Sequence, residues 1–162
     1  MTTKLHKASI KGYSLKSLGC AADGVTDDTA NFVAAVNTAA TNGWSIVNDR
    51  DDTFYLASTA TITNLPVDIR GGTFLCSGTD GIHVTNTDPL VCKFKDVTFK
   101  GDELETGANL IIEYDYDSVH FNRDYHSIVS LEDVNVGDPE NDVGDYLTGI
   151  KLINVTRPNL TR

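Results

Sequence analysis

The sequence contains few of the residues and segments that mark membrane-spanning or secreted proteins. One Met, one Trp, four Pro and three Cys occur among 162 residues. No apolar run approaches the roughly 18 residues that a membrane-spanning helix requires. The basic residues near the start are not followed by the unbroken apolar segment of a signal peptide. We therefore expect synthesis in the cytoplasm and no insertion into a membrane.

The sequence also lacks a recognisable metal site. Cys20, Cys76 and Cys92 are odd in number and far apart, which predicts small core residues in a protein made in a reducing compartment. Residues 138–145 lack the glycine and glutamate positions of an EF-hand loop and are predicted to be a turn-rich corner. Three of the four histidines, His83, His120 and His126, are scattered and follow no zinc-ligand spacing. We therefore predict no metal and no cofactor.

Positive charge is scarce and unevenly placed. Thirteen Lys and Arg face 23 Asp and Glu, which gives a net charge of −10 and argues against a nucleic-acid partner. Residues 1–16 nevertheless carry Lys4, Lys7, Lys11 and Lys16 without any acid. This pattern predicts that residues 1–17 form an attachment arm, with Lys4, Lys7 and Lys11 as docking residues. The alternative is a solvated, partly ordered terminus.

The remaining composition is typical of one globular domain. Hydrophobic residues make up 40% of the chain and charged residues 22%, which makes disorder unexpected. Thirteen Gly and many Thr, Val and Asn favour a mainly β fold. Strands are predicted at Thr53–Leu56, and at residues 13–18, 44–47 and 60–64.

One stretch predicts a turn followed by a helix over residues 28–41. Asp23-Gly24 supplies a left-handed turn, and Thr26, Asp27 or Asp28 can place a side-chain oxygen over the free amides that open the helix. Asn42-Gly43 ends it. The two adjacent aspartates are therefore interpreted as structural; the alternative is an acid pair or a metal site, for which neighbouring helical residues diverge too much.

Residues 18–36 resemble the "G-A-x-G-D-G-x-x-D-D-T-x-A" signature that opens the pectate-lyase-like right-handed β-helix of phage tailspikes and polysaccharide depolymerases. The chain departs from it at Cys20-Ala21-Ala22. The resemblance implies a right-handed parallel β-helix over residues 18–162, with the helix covering its N-terminal end. The match covers Gly19 and the structural cap motif, which consists of Asp23, Gly24, Asp27, Asp28 and Thr29.

A loose internal repeat supports a stack of similar units. Residues 94–101 resemble residues 131–137, and residues 152–156 are similar to both. A second strand pattern is shared by residues 81–86 and 149–154. Asn and Asp at the strand ends are expected to adopt left-handed corners. We expect on the order of four to six turns, with extra residues inserted over 102–117.

The best candidate for chemistry is the alternating stretch from Glu113 to Asp117. On a strand, Glu113, Asp115 and Asp117 share one face. A glycoside hydrolase needs two carboxylates at a defined separation, and this face offers three candidates. Tyr114 and Tyr116 share the other face and could stack on sugar rings. The alternative is a solvated loop or an exposed edge. Residues 120–126 are a further candidate for a sugar or protein contact.

The resemblance implies a function as well as a fold. It implies the N-terminal part of a homotrimeric phage tailspike or receptor-binding protein, located in the virion, that joins tail or adaptor proteins to the region engaging host surface polysaccharide. Residues 156–162 contain no capping helix, so we expect that a longer spike continues the stack or that another protomer covers it. The alternatives are a capsule or O-antigen depolymerase, hydrolase or lyase, and a secreted carbohydrate binder.

Overall fold

A computed structural model of the protein describes residues 12–77, 79–87, 91–101, 107–114, 129–137, 148–155 and 158–161. In this part of the chain the fold is mainly β, with one α-helix, α1 (Thr29–Asn42), and a short 3-10 helix, η1 (Lys16–Leu18). The prediction of a mainly β fold with one helix is confirmed. No helix among these residues is long and apolar enough to cross a membrane.

The strands form three parallel sheets, here named A, B and C. Sheet A contains β1 (Gly12–Tyr13), β3 (Ser45–Val47), β6 (Val67–Arg70), β9 (Cys92–Lys95), β12 (Val129–Glu132) and β15 (Asn159–Thr161). Sheet B contains β2 (Asp23–Asp27), β4 (Thr53–Leu56), β7 (Thr73–Cys76), β10 (Thr98–Gly101) and β13 (Asn135–Val136). Sheet C contains β5 (Ala60–Thr63), β8 (Ile82–Asn86), β11 (Ala108–Tyr114) and β14 (Thr148–Ile153).

From β3 onward, successive strands fall in sheets A, B and C in turn, so each group of three forms one layer; β1 and β2 precede these layers in sheets A and B. Four complete layers are described, from β3–β4–β5 to β12–β13–β14. Each strand pairs in parallel with its counterparts in the layers before and after it. The layers are the units of the internal repeat.

Alternation along each strand sends one set of side chains inward. Phe54, Phe74 and Phe99 lie in register on three successive layers, with ring centroids 5.3 and 5.6 Å apart. All three are fully buried, which stabilises the fold by about 1.5–3 kcal/mol for each side chain. Inward residues of the three sheets form one core, and Cys20, Cys76 and Cys92 lie in the interior as free thiols, as predicted.

The corners carry the expected polar residues. Asn64, Asp96, Asp133 and Asn154 have φ between 51° and 55°, in the left-handed region. Their short polar side chains tolerate this conformation better than other residues with a Cβ. The prediction of left-handed Asn and Asp corners is confirmed.

The internal repeat is confirmed for two of its three copies. Phe94 pairs with Leu131, and Thr98 pairs with Asn135, so residues 94–101 and 131–137 lie on each other in adjacent layers. The prediction that residues 152–156 are a third copy is wrong, because Leu152 belongs to sheet C and pairs with Ile112. The pattern of a strand followed by a left-handed Asn or Asp recurs at two different corners, so it does not identify the sheet. Residues 81–86 and 149–154 do share sheet C, with β11 between them.

Two other expectations are wrong. Residues 13–18 are not one strand: β1 ends at Tyr13, and Ser14 starts a turn in which its Oγ accepts from the Ser17 N–H at 3.1 Å. The insertion expected at 102–117 is interrupted by β11, a buried strand in register with β8 and β14. The long connections that the sequence requires are therefore residues 115–128 and 138–147, which lie outside the described residues.

Candidate functional site

The turn of the cap motif is held by Asp23. Its Oδ1 accepts from the N–H groups of Val25 and Thr26 at 2.9 and 2.8 Å, and its Oδ2 accepts from the Thr26 hydroxyl at 2.8 Å. These bonds, led by the backbone N–H of Thr26, lower the pKa of Asp23 to about 2. Gly24 supplies the positive φ of 74° within the turn. Both carboxylate oxygens of Asp23 are therefore engaged within its own turn, Oδ1 by backbone N–H groups and Oδ2 by the Thr26 hydroxyl.

Asp27 and Asp28 make different hydrogen bonds at the start of α1. Asp27 Oδ1 accepts from the N–H and the hydroxyl of Thr29 at 2.9 and 2.6 Å, which lowers the pKa of Asp27. Of the three capping candidates Thr26, Asp27 and Asp28, Asp27 is thus the one that accepts from a helix amide, and the alternative of a cap by Asp28 is wrong because its side chain makes no bond to the helix amides. Its carboxylate is buried and accepts from the N–H groups of Ala21 and Ala22 at 2.6 and 3.0 Å. Both aspartates make structural hydrogen bonds.

Glu113 lies in the middle of sheet C and meets a histidine that the sequence analysis did not connect with it. The Nε2 of His83 lies 3.1 Å from the Oε2 of Glu113, across two adjacent strands. The side chains are 27% and 34% exposed. A partly exposed histidine and carboxylate can orient each other and hydrogen-bond a bound molecule together, and the same contact is also an ordinary hydrogen bond between layers.

The expectation that Tyr114 could stack on a sugar ring is wrong. It is fully buried, so it offers no face to a sugar ring. Leu110 and Ile112 point inward on the same strand, and alternation carries Tyr114 inward with them. The other predicted residues lie outside the described part of the chain: Asp115, Tyr116, Asp117, residues 120–126, and Lys4, Lys7 and Lys11.

Sequence reasoning missed a polar cleft of about 250 Å³ at the corner between sheets A and B. The side chains and backbone that line it come from four layers: Arg50, Gly72, Thr73, Asp96, Thr98, Asp133 and Asn135. Asp96 and Asp133 occupy the same corner position, since Lys95 pairs with Glu132. The repeat that related residues 94–101 to 131–137 could have identified this pair.

The cleft combines opposite charges. Arg50 can donate to a ligand, and the two carboxylates can accept from it, while Thr73 and Thr98 can do both. The pKa of nearby Lys95 is raised, mainly by its hydrogen bond to Glu132 and further by Asp96 and Asp133. This arrangement is suited to a ligand rich in hydroxyl groups.

The two ends of the stack differ. At the first end, α1 covers the core with Phe32, Ala35, Val36 and Ala39, none more than 3% exposed. At the other end lies an apolar cavity of about 400 Å³, here called the open end face. Its lining residues belong to the last strands and corners: Leu131, Val134, Ile150, Leu152, Leu160 and Thr161.

Among the residues that the structure describes, no cluster of three or more His, Cys, Asp or Glu could hold a metal ion. In comparisons with known proteins, no family model, no curated protein and no solved structure matches this chain.

Proposed function

We propose that this chain is the helix-capped N-terminal part of a right-handed parallel β-helix in a phage tailspike or receptor-binding protein. Its role is structural: it connects the virion to the region that engages host surface polysaccharide. The observation that carries the proposal is the stack of parallel layers with one covered end and one open end. The resemblance of residues 18–36 to the opening signature of such spikes agrees with it.

The order of the strands supports a helical winding. Each layer passes from sheet A to B to C, and the next strand returns to sheet A beside its counterpart. Parallel neighbours in one sheet are joined by right-handed crossovers in nearly all proteins. Winding every layer in this way gives a right-handed β-helix whose inward residues stack along one axis.

The cap supports the position at the N-terminal end. Phe32 of α1 contacts the Phe74 ring edge to face, at a centroid distance of 5.5 Å, which closes the core above the first layers. Repeat folds require such an end, because a bare layer would expose its apolar side chains. In the proposed spike, the arm of residues 1–17 docks on tail or adaptor proteins through Lys4, Lys7 and Lys11, and its Gly12–Tyr13 part pairs with β3 in sheet A. Three copies assemble as a homotrimer.

The test is to find the protein in particles. Purified virions are digested, and peptides of this chain are sought by mass spectrometry, together with the mass of the intact polypeptide in denaturing electrophoresis. We expect the peptides in the virion within a chain several times heavier than 17.6 kDa. Their absence from particles, with the protein present in the producing cell, would contradict the proposal.

The docking role of the arm has its own test. We expect that deleting residues 1–11, which lie outside the described residues, lowers incorporation into virions, with circular dichroism as the check that the variant folds. Changing Lys4, Lys7 and Lys11 together to Gln should reduce incorporation in the same direction. Full incorporation of both variants would show that the arm does not dock.

The second candidate is a polysaccharide depolymerase, and the polar cleft is the observation that favours it. Asp96 and Asp133 lie together there, whereas Glu113 is engaged by His83. We expect that Asp96→Ala with Asp133→Ala abolishes capsule clearing, and that Glu113→Gln leaves it unchanged. The control is Asp51→Ala at an exposed position outside the cleft lining. Clearing that survives the double change, or is absent from the unchanged protein, removes this candidate.

A further inference from the structure

The polar cleft at the corner between sheets A and B contains charged side chains of both signs that do not pair with each other. Within the part of the chain that the structure describes, Arg50, Asp96 and Asp133 form no ion pair. Lys95 lies near the two aspartates, but its ammonium is hydrogen-bonded to Glu132. The cleft therefore presents one guanidinium and two carboxylates to a molecule that enters it.

The layers explain why these opposite charges stay apart. Arg50 belongs to the corner of the first complete layer, and the second layer has Gly71 and Gly72 at its corner, which carry no side chains. Asp96 and Asp133 follow in the third and fourth layers, at the corner position of Gly71. Neighbouring strands lie about 4.8 Å apart, so the two carboxylates are stacked at this spacing. The cleft thus has a cation at one end and a pair of anions at the other.

The loop that carries Arg50 is held at both of its ends. At one end, the Nδ2 of Asn48 donates to the carbonyl of Gly71 at 3.2 Å. At the other end, Asp52 is buried, and its carbonyl accepts from the N–H of Thr73 at 2.9 Å. A backbone that is fixed before binding loses little conformational entropy when a ligand arrives. The position of the Arg50 backbone is therefore set before any ligand binds.

The charges and the size of the cleft select the class of ligand. Arg50 repels a simple cation, and the two carboxylates repel a simple anion. A neutral polyol hydrogen-bonds to the lining but brings no counter-charge, and hydrogen bonds between charged groups are roughly twice as strong as neutral ones. The volume of about 250 Å³ lies below the roughly 300–1,000 Å³ of sites for drug-sized ligands. A small zwitterion matches both the charges and the volume.

We propose that the cleft binds a zwitterionic group that carries an ammonium and a phosphate or carboxylate a few bonds apart. The oxyanion accepts from the guanidinium of Arg50, and the ammonium donates to Asp96 and Asp133. The hydroxyl groups of Thr73 and Thr98 line the cleft between these ends and hydrogen-bond the remaining oxygens. This binding goes beyond the proposed function, because it depends on the cleft alone and requires neither a virion nor the cleavage of a bond.

Phosphoethanolamine is the probe that tests this binding, and ethanolamine and inorganic phosphate are its two charged halves. Each is titrated into the 162-residue chain at low salt, and isothermal titration calorimetry measures the affinity. We expect phosphoethanolamine to bind at least about tenfold more tightly than either half, because only the whole probe engages both ends of the cleft. Equal affinity for the whole probe and for one of its halves would overturn the proposal, as would the absence of binding by all three probes.

Substitutions assign the two ends of the probe. Arg50→Gln should remove the preference for phosphoethanolamine over ethanolamine. Asp96→Asn with Asp133→Asn should remove the preference over phosphate, and Asn suits the left-handed conformation of both corners. Circular dichroism checks that the variants fold. The matched control is Asp51→Asn, which is exposed and outside the lining and should bind as the unchanged chain does. An equal loss in this control would overturn the proposal, since bulk charge would then explain the binding.

Vesicles identify the source of the zwitterionic group. Binding to vesicles that contain phosphatidylethanolamine, lost in Arg50→Gln, would support the proposal with a lipid headgroup as the ligand. Binding of the soluble probe alone would support it with a group on a soluble molecule or a glycan.

The outcomes separate this binding from the proposed function. Binding without capsule clearing leaves the zwitterion site in place and removes the depolymerase candidate. Peptides of the chain in virions, together with no binding of any probe, leave the structural role in place and overturn the zwitterion site.

Discussion

The two ends of this molecule are built from the same layers and differ in what lies over them. At the first end, α1 supplies four buried apolar residues, and the carboxylate of Asp28 ties the approaching chain to the start of the helix. At the other end, Leu160 is more than half exposed and three strand edges are unpaired among the described residues. The comparison shows that the sheets alone do not complete this fold. A stack of parallel layers needs a separate element at each end, and the described part of the chain supplies one.

The largest expected difference between the two ends comes from removing their apolar side chains. Phe32→Ala should lower the free energy of unfolding by about 3–5 kcal/mol, because Phe32 is fully buried against Phe74. Leu160→Ala should change it by no more than about 0.5 kcal/mol in the isolated chain, since that side chain is already exposed. Urea unfolding of both variants measures the difference. Equal losses would mean that the open end is as well packed as the covered one.

The second prediction concerns the polar contact that closes the covered end. Asp28→Ala should lower the free energy of unfolding by about 2–4 kcal/mol, because the buried N–H of Ala22 and the partly buried N–H of Ala21 lose a charged acceptor. Asp27→Ala is the matched control: it removes an exposed acceptor at the start of the helix and should cost about 1 kcal/mol. Thermal and urea unfolding measure both. A larger loss for Asp27→Ala would contradict the assignment of the buried contact to Asp28.

The third prediction tests whether the stability cost of a substitution at a left-handed corner depends on the layer that contains the corner. Asp96→Val should lower the free energy of unfolding by about 1–2 kcal/mol, because a β-branched residue is forced into the left-handed region at φ 53°. Asp96→Gly should change stability by less than about 1 kcal/mol, since Gly71 occupies the equivalent corner one layer earlier. The same pair of changes at Asp133 probes the last complete layer. A smaller penalty at Asp133 than at Asp96 would indicate that the open end relaxes more easily.

The smallest expected effect is a pH dependence at the turn before the helix. The pKa of Asp23 is about 2 in the folded chain and about 3.9 in an unfolded one. Its contribution to stability is therefore complete above about pH 4 and is lost as the pH falls to about 2. Asp23→Asn should flatten the fall of the melting temperature between pH 5 and pH 2.5 at low salt. Asp51→Asn controls for the change in net charge, and an equally steep fall in both variants would contradict the role of Asp23.

Local signals predicted the covered end well. The helix expected over residues 28–41 is observed as Thr29–Asn42, and Gly43 ends it with a φ of 65°. Turn residues, capping residues and helical periodicity act within a few positions along the chain, so the sequence contains them directly. The sequence left Thr26, Asp27 and Asp28 open as caps, and only the structure distinguishes them: Asp27 accepts from a helix amide, whereas the carboxylate of Asp28 accepts from N–H groups six and seven residues earlier. No periodicity indicates that contact.

The alternating sequence from Glu113 to Asp117 predicted that its acids and its tyrosines lie on opposite faces of a strand. It did not predict which of the two faces is buried. Glu113 and Tyr114 do point in opposite directions, as their spacing requires, but Tyr114 is the buried one. The deciding residues are Leu110 and Ile112, which share its side of β11. A two-residue period fixes only relative orientation, and the core determines the rest.

The sequence by itself determined the class of local structure: short strands that end in left-handed Asn or Asp, a turn rich in Asp and Gly, and one helix with a small apolar face. Only the tertiary structure decided which residues meet, because each layer returns the chain beside residues 20 to 40 positions earlier. His83 reaches Glu113 across 30 residues, and Arg50 shares a cleft with Asp133. Such pairs depend on the length of every intervening connection, which sets the register of the layers and is not encoded in any single motif.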